Sequence, residues 1–300
     1  MTTIKEMRPT KIALLFVLIS SLASAQDYAF KVLANKGSNT VKSGADWAPL
    51  KTGATLKNED ELKIVENAYI GLVYNTGKPL ELKQPGNYKV SDLATKMKGS
   101  TSVLNKYTDF ILSSNAEGKK NKLNATGAVN RDVKDHSIHV VLPDYQHAGI
   151  YNNVAVVNFE TKANGPYIVT VKNMFDEELN KFEIPGTVFQ IDLADAKYVN
   201  ETAVLIEVKS KADPNIGSKP RLIKKLSPSE HDAVKKSLVE ISGDVAEQTA
   251  LNKVILARFY EVHNLIIDAI TSYEDAIKMA PDVPTFEEEY QYFLTRHGLK

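Results

Sequence analysis

The spacing of apolar residues changes once along this chain, near Ser227, and no single type of layer can accommodate both parts. Upstream, Leu62 and Ile64, Ile70 and Leu72, and Leu80 and Leu82 fall two apart, the period of a strand with one buried face. These pieces are separated by Asn35-Lys36-Gly37, Lys51-Thr52-Gly53, Asn75-Thr76-Gly77 and Pro85-Gly86, which carry turn chemistry. Downstream the period becomes helical. Ser227-Pro228-Ser229-Glu230 reads as a helix start, Asp244 as the start of a longer helix through Val262, and Leu265–Met279 and Thr285–Arg296 as two more. The fold class is therefore multidomain β + α.

The first β-segment predicts strands at Tyr28–Ala34, Thr40–Lys42, Glu61–Val65, Tyr69–Tyr74, Pro79–Lys83 and Tyr88–Val90. A trailing helix from Ser91 carries Leu93, Met97, Leu104, Tyr107 and Ile111 as its apolar stripe, giving a domain over residues 26–112 that is expected to fold independently. Trp47 is expected to seal one end of that small barrel. Periodicity then disappears, and residues 113–135, with Lys119, Lys120 and Lys122, read as a flexible linker. Strands recur at Ile138–Leu142, Val154–Phe159, Tyr167–Lys172, Lys181–Ile184, Val188–Asp192 and Ala203–Lys209, which predicts an antiparallel sandwich over residues 136–212. Residues 226–300 form the all-α module.

Residues 1–25 read as an export signal. Lys5, Arg8 and Lys11 precede an apolar run from Ile12 to Leu22, too short for a membrane span at about 20 residues. Ala23-Ser24-Ala25 supplies the small-x-small pattern, so cleavage is expected between Ala25 and Gln26. The address implied is the periplasm or the cell envelope, with no membrane span in the mature chain. Among 300 residues there is no cysteine, which removes disulfides, thiolate metal sites and cysteine nucleophiles. With 37 basic and 37 acidic side chains, nothing draws the chain to nucleic acid.

No catalytic constellation emerges, and no enzyme, cofactor or metal is expected. The six histidines form no His-Glu-x-x-His, and His136 and His139 sit an odd step apart, on opposite faces of a strand. Asp176-Glu177-Glu178 reads as a turn, and Glu287-Glu288-Glu289 as carboxylates at the positive end of a helix.

Two stretches resemble known families. Trp47-x-Pro49-Leu50-x-x-Gly53-x-x-Leu56, Asp60-x-Leu62, Ala68, Gly71-Leu72-Val73 and Gly77-x-x-Leu80-x-Leu82 resemble the FecR-type periplasmic β-domain. That family relays signals from an outer-membrane receptor to a membrane-bound anti-sigma factor. Here no span or cytoplasmic segment follows, so the resemblance implies a FecR-like fold and an extracytoplasmic setting only. Leu256, Ala257 and Tyr260 on one helix, Ala269, Tyr273 and Ala276 on the next, then Pro281, resemble one tetratricopeptide repeat, with Lys253 where that family usually has tryptophan. The middle β-segment looks like the immunoglobulin-like modules of exported proteins, without their cysteines.

The resemblances imply a non-enzymatic exported interaction protein that binds protein partners in the envelope. A TPR-like hairpin exposes a concave face, and Leu251, Val254, Arg258, Glu261 and Val262 are the residues expected to touch a partner. Arg258 offers a guanidinium fork to a partner carboxylate. The alternative is a cover over that face supplied by the Ser227–Ser242 helix. A second function is glycan or peptidoglycan binding around Trp47.

Overall fold

The structure, a computed structural model, describes residues 28–97, 104, 106–109, 111 and 138–300. It contains several antiparallel β-sheets followed by helices, the mixed β + α organisation that the change of period predicts. The expected linker, residues 113–135, lies outside the described residues.

The first β-unit has two four-stranded sheets. One runs in the order β4-β1-β6-β7, with β1 Phe30–Lys36, β4 Thr55–Leu56, β6 Tyr69–Tyr74 and β7 Pro79–Leu82. The other runs β3-β2-β5-β8, with β2 Thr40–Ser43, β3 Asp46–Pro49, β5 Glu61–Ile64 and β8 Gly86–Lys89, and helix α1, Val90–Met97, follows. Phe30, Val32, Leu62, Ile64, Ile70 and Leu72 fill the space between them, joined by Val90 and Leu93 of α1.

Half-burial fails for two strands, however. Leu33 and Ala34 of β1 and Tyr69 and Val73 of β6 turn their side chains outward into a second core, which they share with the C-terminal helices. The unbroken apolar run Tyr69-Ile70-Gly71-Leu72-Val73 is the composition of a strand covered on both faces. The first β-unit is thus not an independent unit: one of its faces is completed by the other end of the chain. Leu104, Tyr107 and Ile111 join that shared core as well.

The second β-unit pairs a five-stranded sheet, β10-β16-β15-β12-β13, with a three-stranded one, β14-β11-β9. The strands are β9 His139–Val140, β10 Gly149–Ile150, β11 Val154–Glu160, β12 Tyr167–Lys172, β13 Glu178–Ile184, β14 Val188–Asp192, β15 Ala203–Ser210 and β16 Arg221–Lys225. Two features depart from expectation. The sheet extends past residue 212 to Lys225, and β10 runs parallel to β16.

The helices are α2 Pro228–Ser242, α3 Ala250–Val262, α4 Ile266–Met279 and α5 Pro284–Arg296. The capping box of α2 is formed: Ser227 accepts the amide of Glu230, and the Glu230 carboxylate accepts the amide of Ser227. Helix α3 begins at Ala250 rather than near Asp244, because the Thr249 hydroxyl captures the amide of Asn252 at 3.2 Å. Asn264, at φ 61°, makes the tight turn into α4. Ala257, Ala269, Tyr273 and Ala276 are fully buried where the helices meet.

Helix α4 does more than pack. Strand β11 pairs with β9 only at Phe159 and Glu160, which leaves its earlier residues with an unpaired edge. Polar residues on one ridge of α4 reach that edge and the loop that leads into it. Asp268 accepts the amides of Tyr151 and Asn152 at 2.8 and 2.9 Å and the Asn152 side chain at 2.8 Å. Thr271 accepts the amide of Val156 at 3.0 Å, and Glu274 accepts the Asn158 side chain.

Burial pushes the Asp268 carboxyl up to about 6, against the opposing pull of the donors from Tyr151 and Asn152. Because this lies above its value in an unfolded chain, the native state holds the extra proton between the two. The stabilising contribution is complete at the acid end and is lost as pH rises through about 6. Urea titrations from about pH 5 to about pH 7.5 should therefore show wild type losing ground relative to Asp268→Asn. Asp268→Ala, which orphans two backbone amides, should lower stability by about 2–4 kcal/mol.

Candidate functional site

The face expected to meet a partner is occupied from within. Leu251 and Val254 are buried in the shared core, and the Leu251 methyl group would lie 3.3 Å from a Cβ added to Gly71 of β6. The first β-unit covers the start of α3, and α2 joins the same core through Val234 and Ile241. The amide of Leu251 donates to Glu81 of β7 at 2.8 Å, and the same carboxylate oxygen accepts the Tyr69 hydroxyl at 2.5 Å. A carboxylate at the N-terminus of α3 also meets the positive end of the helix dipole. Burial opposes ionisation of Glu81, yet Lys83, Tyr69 and Leu251 together hold its carboxyl below the usual range.

Arg258 and Glu261 are likewise engaged within the chain. The Glu261 side chain, 6% exposed, accepts Arg258 at 2.6 Å, Arg296 at 3.0 Å and His297 at 3.1 Å. Burial opposes its ionisation, but His297, Arg296 and Arg258 outweigh that and lower its pKa. The guanidinium fork anticipated for a partner closes on Glu261 of its own helix, and Arg296 and His297 tie that carboxylate to the end of α5. Of the five expected contact residues only Val262, 53% exposed, faces water.

The other expected sites separate in the same way. The cleavage pair Ala25 and Gln26, and His136, lie outside the described residues. Trp47 seals nothing: it is 43% exposed on the outer strand β3. Its cross-strand row is Lys42, Glu61 and Lys89, so no second ring extends a sugar-stacking platform along that row. Among the described residues no group of three histidines or carboxylates is spaced to hold a metal.

Sequence reasoning placed a turn at Asp176-Glu177-Glu178, between β12 and β13, but missed the apolar pair that this turn displays. Asn173, buried at 6% exposure, organises the turn. Its side-chain oxygen accepts the amides of Phe175 and Glu177 at 2.9 and 3.0 Å, and its amide nitrogen donates to the Glu177 carboxylate at 2.7 Å. Its backbone exchanges two further bonds across the turn, with Glu177 and Asp176. Asp176 takes φ 66°, a conformation that aspartate tolerates better than most residues, and pairs with Lys172 at 2.8 Å. This fixed frame holds Met174 at 48% and Phe175 at 85% exposure, followed in the chain by the exposed acids Asp176, Glu177 and Glu178. The hairpin needs no apolar residue there, since Asn, Asp or Gly make such turns. The signal in the sequence was the Met-Phe pair placed inside a polar turn.

Two substitutions test this reading of the surfaces. Arg258→Glu sets a carboxylate against buried Glu261 and should destabilise by about 3–5 kcal/mol in chemical unfolding, rather than weaken binding alone. Trp47→Ala should cost about 1 kcal/mol at most, since the ring is half exposed. No protein-family model matches this chain, and no curated protein matches it.

Proposed function

We propose that this chain is a non-enzymatic exported protein of the cell envelope that binds a protein partner through the Met174-Phe175 turn. The observation that carries the proposal is the rigid display of Phe175 at 85% exposure by a turn whose own hydrogen bonds do not involve the ring. Aromatic and methionine side chains are enriched at protein interfaces, and an aromatic ring has few rotatable bonds to fix on binding. The export signal at residues 1–25 supports the envelope setting. The FecR-like, Ig-like and TPR-like resemblances support a role in recognition rather than catalysis. In this reading the TPR-like hairpin supports the chain's own β-units, and the partner contact lies on the second of them.

A glycan reading remains attached to one observation, the exposed ring of Trp47. It requires that Trp47→Ala abolish retention on peptidoglycan or polysaccharide with the fold intact.

The leading reading is tested by replacing Phe175 with photoreactive benzoylphenylalanine in exported protein, and by affinity purification of wild type and Phe175→Ser from envelope extract. Protein adducts at position 175, and loss of the same species in Phe175→Ser at unchanged melting temperature, are expected. Equal recovery by both proteins would overturn the assignment.

A further inference from the structure

We infer that one partner of this turn is a second copy of the chain, the Met174-Phe175 turn of each seating in a cleft beside β10 and β16 of the other. The inference rests on the interaction reading and names the partner at the same turn.

Sheet register places the two parts suitably. Lys172 lies opposite Leu205, Leu205 opposite Leu222, Ala203 opposite Lys224, and Lys224 opposite Gly149. The turn after Lys172 and the cleft around Lys224 therefore occupy the same end of the five-stranded sheet, the turn toward its β13 edge and the cleft toward its β10 edge. A two-fold axis between them brings each turn to the other chain's cleft, the self-complementary arrangement that closes a dimer.

The chemistry of the two surfaces is complementary. The cleft, about 370 Å³, has walls from Leu226, Val234 and Leu265, with Tyr145 and the lysines Lys224 and Lys225 among its lining. The Lys225 ammonium donates to the carbonyls of Tyr198 and Val199 at 2.8 and 3.0 Å, neutral groups that leave its charge in place. Glu230 also lines the cleft, but its carboxylate is engaged by the amide and hydroxyl of Ser227 at 2.9 and 2.6 Å. An apolar wall bordered by lysines thus meets an apolar turn followed by Asp176, Glu177 and Glu178, of which Asp176 pairs with Lys172, Glu177 accepts Asn173 and Glu178 is exposed. Val199, exposed at 53%, lies on the segment between turn and cleft. The segment carrying Val199 is tied to both neighbours, through Asn180 to Tyr198 at 2.7 Å on the β13 side and through Lys225 on the β16 side. The same carboxylates disfavour an anionic lipid surface, where insertion of Phe175 would press three acids against headgroups.

Sedimentation equilibrium on the exported chain reads the outcome. Wild type should show a reversible monomer–dimer equilibrium. Phe175→Ser on the turn, and Lys224→Glu or Tyr145→Asp on the cleft, should each weaken it at least about tenfold with unchanged melting temperature. An equimolar mixture of Phe175→Ser and Lys224→Glu should associate more tightly than either variant alone, because one intact turn then meets one intact cleft. A monomeric wild type, variants that still dimerise fully, or a mixture no better than its components each overturns the self-pairing. A monomeric wild type that still requires Phe175 for its envelope adducts removes the second copy and keeps the interaction reading. Loss of both removes the reading itself.

Discussion

The Asp268 carboxylate accepts two consecutive backbone amides of the second β-unit, and the rest of the assembly follows from that contact. Strand β11 has an edge that β9 does not reach, and a buried edge without partners is untenable. Helix α4 covers it with a ridge of Asp268, Thr271 and Glu274: Thr271 takes the Val156 amide of the strand, Asp268 the amides of the loop before it and Glu274 the Asn158 side chain. Glu81 makes the reciprocal contact on the other side, a carboxylate from the first β-unit closing the amino end of α3. Each β-unit is thus bound to the helical hairpin by a carboxylate on backbone amides. Both contacts are specific in register, because a shift of one residue would orphan the amides.

That arrangement gives the helices an internal role. The shared core runs without interruption from Leu33 and Tyr69 through Leu251 and Tyr273 to Phe293. A single hairpin of this kind cannot bury its own apolar surface, and here the first β-unit buries one side while the second covers another. Its charges are consumed in the same way. Glu261 binds Arg258 and Arg296 in a half-buried cluster, where removing one member strands the others.

Much of this was legible in residue order. The change from a two-residue to a helical period near Ser227 separates the β-units from the helices, and Tyr69–Tyr74, Tyr167–Lys172 and Val188–Asp192 form strands with the bounds that alternation and turn residues indicate. Ser227 and Glu230 specify their capping box locally, since all the atoms involved lie within one turn of chain. The alternation rule misled where a strand acquired a second covered face. In Tyr69-Ile70-Gly71-Leu72-Val73 it identified Ile70 and Leu72 as inward, but it had no means to say that Tyr69 and Val73 would meet Phe286 and its neighbours more than two hundred residues later.

The sequence by itself determined element type, the caps and the order of β before α, because these depend on contacts among residues close in the chain. Tertiary structure alone decided which surfaces stayed open. Arg258 and Phe175 show why. A guanidinium with helical spacing reads as a surface group until Glu261 and burial claim it, and a phenylalanine reads as core until the turn that holds it faces water. Exposure is a property of what long-range packing leaves uncovered, and no local pattern of residues encodes it.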